Sequence, residues 1–144
     1  MAGARHAIRI LALVLVYLCR HAKAAQGAPD ELRPLTPEGV EQAQRLGARL
    51  AAEAAPPTIV LSSPLLRARQ TAEAIAKATG AELHADARLA PGATVDSLRE
   101  LAAEFDGPLA TVGHQPDCSE IVVAVSGRDP GFAPGSVHAI EVAP

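Results

Sequence analysis

Aromatic residues are nearly missing from this chain: no tryptophan, one tyrosine and two phenylalanines amount to 2% of it. A single-strand nucleic-acid binder works by stacking bases on aromatic platforms, so that class is set aside. Any core must instead be aliphatic, built from Leu, Val, Ile and much Ala. Cysteine is equally sparse. Cys19 and Cys118 lie far apart in apolar surroundings, which argues against a disulfide framework or a Cys-rich metal site. Positive charge is not in excess either, since a net charge of -3 and a pI near 5.9 argue against general affinity for DNA or acidic membranes. One unbroken apolar run, Ile10 to Cys19, is too short to cross a bilayer as a helix. With Arg5 and Arg9 before it, the run superficially copies a signal peptide, but Arg20-His21-Ala22-Lys23 makes a poor cleavage region. Its Val and Leu content suits a buried strand better. The expectation is a cytoplasmic protein whose first strand stands near its start.

What the chain does contain is enough for a real core. Its 144 residues are 49% hydrophobic and 20% charged, which fits a single domain over 1–144 and excludes a disordered tail. After the first strand comes a polar stretch, Ala24 to Pro34. Thr36-Pro37-Glu38 then has the form of an N-cap followed by Pro at the first helical position. Val40, Ala43, Leu46, Gly47 and Leu50 follow at helical spacing, and Pro56-Pro57 ends that helix. Thr58 to Leu61 is a short strand. Ser63-Pro64 opens a second helix running to about Thr79, with Ser63 as its N-cap and Gly80 as its stop. A weak strand is expected within Glu82 to Leu89, a Thr94-capped helix up to Gly107-Pro108, and a strand from Leu109 to Val112. A helix near Asp117–Val125 and a last strand at Val137–Val142 complete the series. Strands alternating with helices predict an α/β fold of three layers: a mostly parallel sheet with helices on both faces.

In such sheets ligands bind beyond the C-terminal ends of the strands. The first strand delivers Arg20 and His21 there, the second delivers Ser62 and Ser63 with Arg67 one turn on, and the third delivers Gly113 and His114. Arginines offer fixed forks of donors that match phosphate oxygens, and helix N-termini favour anions. A histidine in such company can attack phosphorus. Arg67 near a helix start is badly placed as a cation, which an anionic ligand would explain. Blander readings serve elsewhere. Arg69 is a solvated surface residue, His84 and His138 are structural residues without partners, and His6 belongs to a tail. No Gly-x-Ser-x-Gly elbow surrounds Ser62 or Ser63. No His-x-x-x-His spacing marks a metal site.

Three blocks in this order resemble the histidine phosphatase superfamily. They are Leu18-Cys19-Arg20-His21-Ala22-Lys23-Ala24 with Asp30 to Gly39, then Ser62-Ser63-Pro64-Leu65-Leu66-Arg67-Ala68-Arg69-Gln70-Thr71-Ala72-Glu73, then Val112-Gly113-His114-Gln115-Pro116-Asp117. Their style and the short chain are similar to the SixA-type phosphohistidine phosphatases. The resemblance implies a phosphoglycerate mutase-like fold and a phosphoenzyme mechanism. His21 would be the nucleophile, Arg20 and Arg67 would clamp the equatorial oxygens, and His114 would donate a hydrogen bond to them. Lys23 and Arg33 complete the expected substrate-binding set, although Asp30 and Arg33 are also placed to pair and fix their loop. No metal or cofactor is expected, because arginines and helix dipoles supply the positive field.

The chain departs from the family pattern twice. Ala22 stands where the opening motif usually has glycine. No Glu follows the Leu89-Ala90-Pro91-Gly92 segment until Glu100, whereas larger members carry a Glu general acid there. An alkoxide leaving group needs that proton, whereas an imidazole leaving from a protonated phosphohistidine does not need a strong acid. The expected substrate is therefore a protein phosphohistidine, such as a histidine-kinase phosphotransfer domain, with phosphorelay down-regulation as the outcome. The alternatives are a metal-independent phosphatase of small phosphate esters, with Asp30 as a distant acid, and a catalytically idle phosphate-binding module.

Overall fold

The computed structural model describes residues 12–144. His6 and the first residues of the apolar run, Ile10 included, lie outside that range. Five strands alternate with four helices: β1 (Val14–Arg20), α1 (Pro37–Ala51), β2 (Ile59–Ser62), α2 (Leu66–Thr79), β3 (Glu82–Ala85), α3 (Val95–Glu104), β4 (Leu109–Gly113), α4 (Asp117–Ser126) and β5 (Val137–Val142). They form one sheet in the order β3-β2-β4-β1-β5. All pairings are parallel except β1 with β5, which is antiparallel. The expected three-layer architecture is what the chain adopts.

Strand alternation sorts the core into two halves. Val16, Leu18, Leu61, Leu109, Ile140 and Val142 pack on one face against Leu98 and Leu101 of α3 and Ile121 and Val122 of α4. Tyr17, Cys19, Val60, Ala110 and Val112 pack on the other against Leu46 and Leu50 of α1 and Ala68, Ala72 and Ile75 of α2. Each fully buried Leu or Ile contributes roughly 1.5–3 kcal/mol relative to leaving it in water, so small aliphatic side chains suffice without aromatic bulk. Close helix contact needs small residues too. A Cβ on Gly47 would stand 2.8 Å from the Ala74 carbonyl oxygen, so glycine there lets α1 approach α2.

The element ends follow local chemistry, with one correction. Thr36 Oγ1 accepts the Gly39 N–H at 3.0 Å and Pro37 opens α1 as expected. Gly80 and Gly127 close α2 and α4 in the left-handed conformation. At α2, however, the N-cap is Leu65 rather than Ser63, and the helix starts at Leu66. Ser63 is drawn out of the cap by the sheet: its N–H bonds the Val112 carbonyl at 2.9 Å, extending the β2–β4 ladder by a residue.

Candidate active site

Register brings the site together. Arg20 pairs with Gly113 across β1 and β4, and the His21 N–H bonds the Gly113 carbonyl at 3.0 Å. The residues that leave the two strands next, His21 and His114, therefore emerge side by side, with ring centroids 5.2 Å apart. β2 lies on the other side of β4, so Ser63 exits next to His114. Arg67, on the first turn of α2, points back to the same edge. The result is an open cleft of about 550 Å³ lined by all six expected residues, Arg20, His21, Lys23, Arg33, Arg67 and His114, together with Asp30 and Gln115.

The loop carrying His21 is pinned on both sides. The Ala22 N–H donates to Thr71 Oγ1 at 3.0 Å, and that hydroxyl donates to the Arg67 carbonyl at 2.8 Å, joining the loop to α2. A Cβ on Gly39 would collide with the Lys23 carbonyl, so glycine there seats α1 against the same loop. Ala22 is fully buried, and no non-glycine residue among those described has a positive φ, so alanine in place of the family glycine carries no backbone strain.

His21 is held as a neutral imidazole of defined tautomer. Its Nδ1–H donates to the Ala22 carbonyl at 2.7 Å, because a carbonyl can only accept. The lone pair is thus on Nε2, which has no protein partner. Burial, opposed in part by that hydrogen bond and reinforced by Arg67, Arg20 and Arg33, lowers its pKa from 6.5 to about 4. His114, 4% exposed, is likewise lowered to about 4, first by burial and then by His21 and Arg67.

The arginines hold unspent donors. Arg20 Nη1 donates to the Phe132 carbonyl at 2.8 Å, and Arg67 Nη1 to the Asp30 carbonyl at 2.9 Å. Both Nε–H groups are buried without a protein partner, a costly state. Lys23 and Arg33 differ: Lys23 Nζ pairs with Glu38 at 2.8 Å, and Arg33 Nε with Asp30 at 2.9 Å while Nη1 donates to the Ala25 carbonyl. Asp30, whose other oxygen lies 3.3 Å from Arg67 Nη2, is held below the ordinary carboxylate range, chiefly by Arg33. It is the one carboxylate among the described residues that line the cleft. No group of three or more His, Cys, Asp or Glu among the described residues is placed to hold a metal.

Several supports were not legible in the sequence. Asp117 Oδ2 accepts the Gly92 and Ala93 N–H groups at 2.8 and 3.2 Å, tying α4 to the turn that brings Pro91 to the cleft. Gln115 Oε1 accepts the Ser119 N–H at 2.9 Å in the first turn of α4. His84 is not partnerless, since Nε2 lies 3.2 Å from Glu82 and its ring packs on Phe105, and His138 packs on Phe132. No helix of the described residues is long and apolar enough to cross a membrane.

Comparison with known proteins agrees with this geometry. The family model of the histidine phosphatase superfamily (branch 1) matches residues 16–110. A probable phosphoglycerate mutase of Citrobacter koseri is 39% identical over 82 residues, which covers 54% of this chain and 37% of the mutase. Two solved structures superpose over most of the chain. One, a candidate phosphohistidine phosphatase SixA from Agrobacterium tumefaciens, has a TM-score of 0.76 at 28% identity, covering 91% of this chain and 98% of that one. The other, a protein histidine phosphatase SixA complexed with tungstate, has a TM-score of 0.77 at 26% identity, covering 88% and 86%.

Proposed function

The chain belongs to the histidine phosphatase superfamily, of SixA type, and from that premise we propose that it hydrolyses protein phosphohistidine through a phosphohistidine intermediate on His21. The phosphoryl group sits against the guanidiniums of Arg20 and Arg67, which line the cleft, and the tungstate complex of a related SixA supports an oxyanion as ligand. His21 Nε2 attacks phosphorus in line, the new P–N bond forms as the bond to the substrate imidazole breaks, and that imidazole, already protonated on its other ring nitrogen, leaves as a neutral molecule. Positive charge gathering on the His21 ring is stabilised by the Nδ1–H bond to Ala22. Arg20, Arg67 and His114 stabilise the spreading negative charge. Water then attacks the phosphorus of phospho-His21, the P–N bond breaks, and inorganic phosphate departs with His21 restored. The outer residues Lys23 and Arg33 contact the substrate body once their own partners are displaced. The product is a phosphorelay protein returned to its resting state, consistent with a cytoplasmic location.

The observation that carries the phosphohistidine reading is the state of Asp30. It is the cleft's one carboxylate among the described residues, and its arginine partners hold it ionised, so it has no proton to give an alkoxide. An imidazole leaving from a phosphohistidine already protonated on its other nitrogen needs none from the enzyme. A small phosphate ester is the second reading, supported by the mutase relatives. Phosphate release measured in chelator, from a phosphohistidine protein and a phosphate monoester side by side, separates the two. Fast release from phosphohistidine alone is expected; preference for the ester overturns the reading.

A further inference from the structure

His114 meets the cleft with one ring nitrogen already committed. Its Nε2 lies 2.7 Å from Ser63 Oγ, and Ser63 is completely buried. Nδ1 has no protein partner, yet it is not among the orphaned buried polar atoms, so it opens to the cleft that His114 lines. The direction of the Ser63–His114 bond decides what Nδ1 offers there. Ser63 Oγ already accepts the Leu65 N–H at 3.2 Å, and the one acceptor its own proton meets is His114 Nε2. Were Nε2 to carry the proton instead, the buried Ser63 O–H would be left with no acceptor, a cost of the kind folded proteins avoid. The hydroxyl therefore donates, and the single proton of the neutral imidazole sits on Nδ1.

We propose that Ser63 is a positioning residue that fixes His114 in its Nδ1–H tautomer, so that the ring presents a hydrogen-bond donor, and never a lone pair, to the phosphoryl oxygens. The proposal rests on the phosphoryl-transfer reading of the site. The wrong tautomer would set a lone pair against a negatively charged oxygen, which weakens rather than stabilises the transition state. Burial together with His21, Arg20 and Arg67 opposes a second proton on His114, against a smaller opposite pull from Asp30. The ring therefore acts as a donor without being a proton source. The backbone sets the contact: Ser62 pairs with Val112 across β2 and β4, and the Ser63 N–H holds the Val112 carbonyl, placing the hydroxyl beside His114.

Nitrogen-15 NMR of histidine-labelled wild-type protein near neutral pH, with no ligand, tests this without any variant. The expected spectrum shows His114 protonated at Nδ1 and not at Nε2; the reverse overturns the proposal. In Ser63→Ala the Nδ1–H form should lose its dominance, and an unchanged tautomer also overturns it. Phosphoryl transfer from para-nitrophenyl phosphate to His21 should slow about tenfold in Ser63→Ala, because substrate can still select the minor tautomer. A shorter amide distinguishes position from mere bulk. His114→Asn, whose side-chain nitrogen takes the place of Nδ1, should retain more activity than His114→Gln, whose nitrogen reaches the place of Nε2. Adding Ser63→Ala to His114→Asn should cost less than it does in the wild type. Equal or reversed effects in these pairs count against the assignment. Loss of the phosphohistidine preference alone would sink the substrate reading while leaving the tautomer result standing.

Discussion

The floor and the rim of the cleft use the same kinds of residue and treat charge in opposite ways. On the rim, Lys23 is paired with Glu38 and Arg33 with Asp30, and the Lys23 and Glu38 side chains are 53% and 59% exposed. On the floor, Arg20 and Arg67 are anchored through Nη1 to main-chain carbonyls and keep buried, unpartnered Nε–H groups. A carbonyl positions a guanidinium without neutralising it, whereas a carboxylate spends its charge on a neighbour in water, where the pairing is worth little. Counting cations along the sequence therefore overstates the rim. Buried donors without a partner, found among the described cleft residues only on the floor, mark it off from the rim. Asp30 belongs to both regions, since it neutralises Arg33 with one oxygen and reaches Arg67 with the other.

The hardest blow to the floor is removal of its nucleophile. His21→Ala should abolish phosphoenzyme formation, checked by acid-labile phosphate on the protein; retained turnover would mean that another group attacks. Next, Arg67→Ala or Arg20→Ala should each lower kcat about a hundredfold or more, near 3 kcal/mol of transition-state stabilisation. If Arg33→Ala lost as much as Arg67→Ala, the distinction between floor and rim would collapse. A pH profile sharpens it further. Neutral His21 is the attacking form and its pKa is lowered to about 4, so the chemical step should stay constant down to about pH 5 and fail as pH approaches 4. Stability should respond in the same sense. His21 and His114 titrate near 4 when folded but near the ordinary 6.5 when unfolded, so the unfolded chain binds more protons between those values. Their contribution is complete above about pH 6.5 and is lost as pH falls toward 4, measurable as a declining Tm. A Tm that held constant across that window would contradict the burial of both rings. The smallest effect belongs to the rim, where Lys23→Ala should alter kcat/KM by less than about threefold.

Most of the secondary structure was legible because its signals are local. Thr36-Pro37 caps α1, Gly80 stops α2 and the short apolar runs of β1 and β4 form buried strands, all as their residues dictate. The four central site residues were legible for a related reason: in a mostly parallel sheet, whatever follows a strand's C-terminal end must reach the same edge. Ser63 shows where local reasoning stops. A serine before Pro64 has the form of a cap, yet a ladder bond to Val112 and a hydrogen bond to His114 draw it elsewhere. Neither partner is near in sequence, so no propensity could announce them. Arg33 and Asp30 pair as a local spacing suggested, but the contact of Asp30 with Arg67 spans the fold.

Residue order alone was enough to specify an aliphatic α/β chain with arginine and histidine at its strand ends, because helix periodicity, capping and short apolar runs act over a few residues. Strand order was not. Inserting β4 between β2 and β1 is a choice among long-range pairings, and it alone sets the two histidine rings 5.2 Å apart with Ser63 beside one of them. The same long-range packing determines which guanidiniums find carboxylates and which keep donors free. Those outcomes depend on separations between residues dozens of positions apart, distances that exist only once the sheet has closed and water has been excluded from its edge.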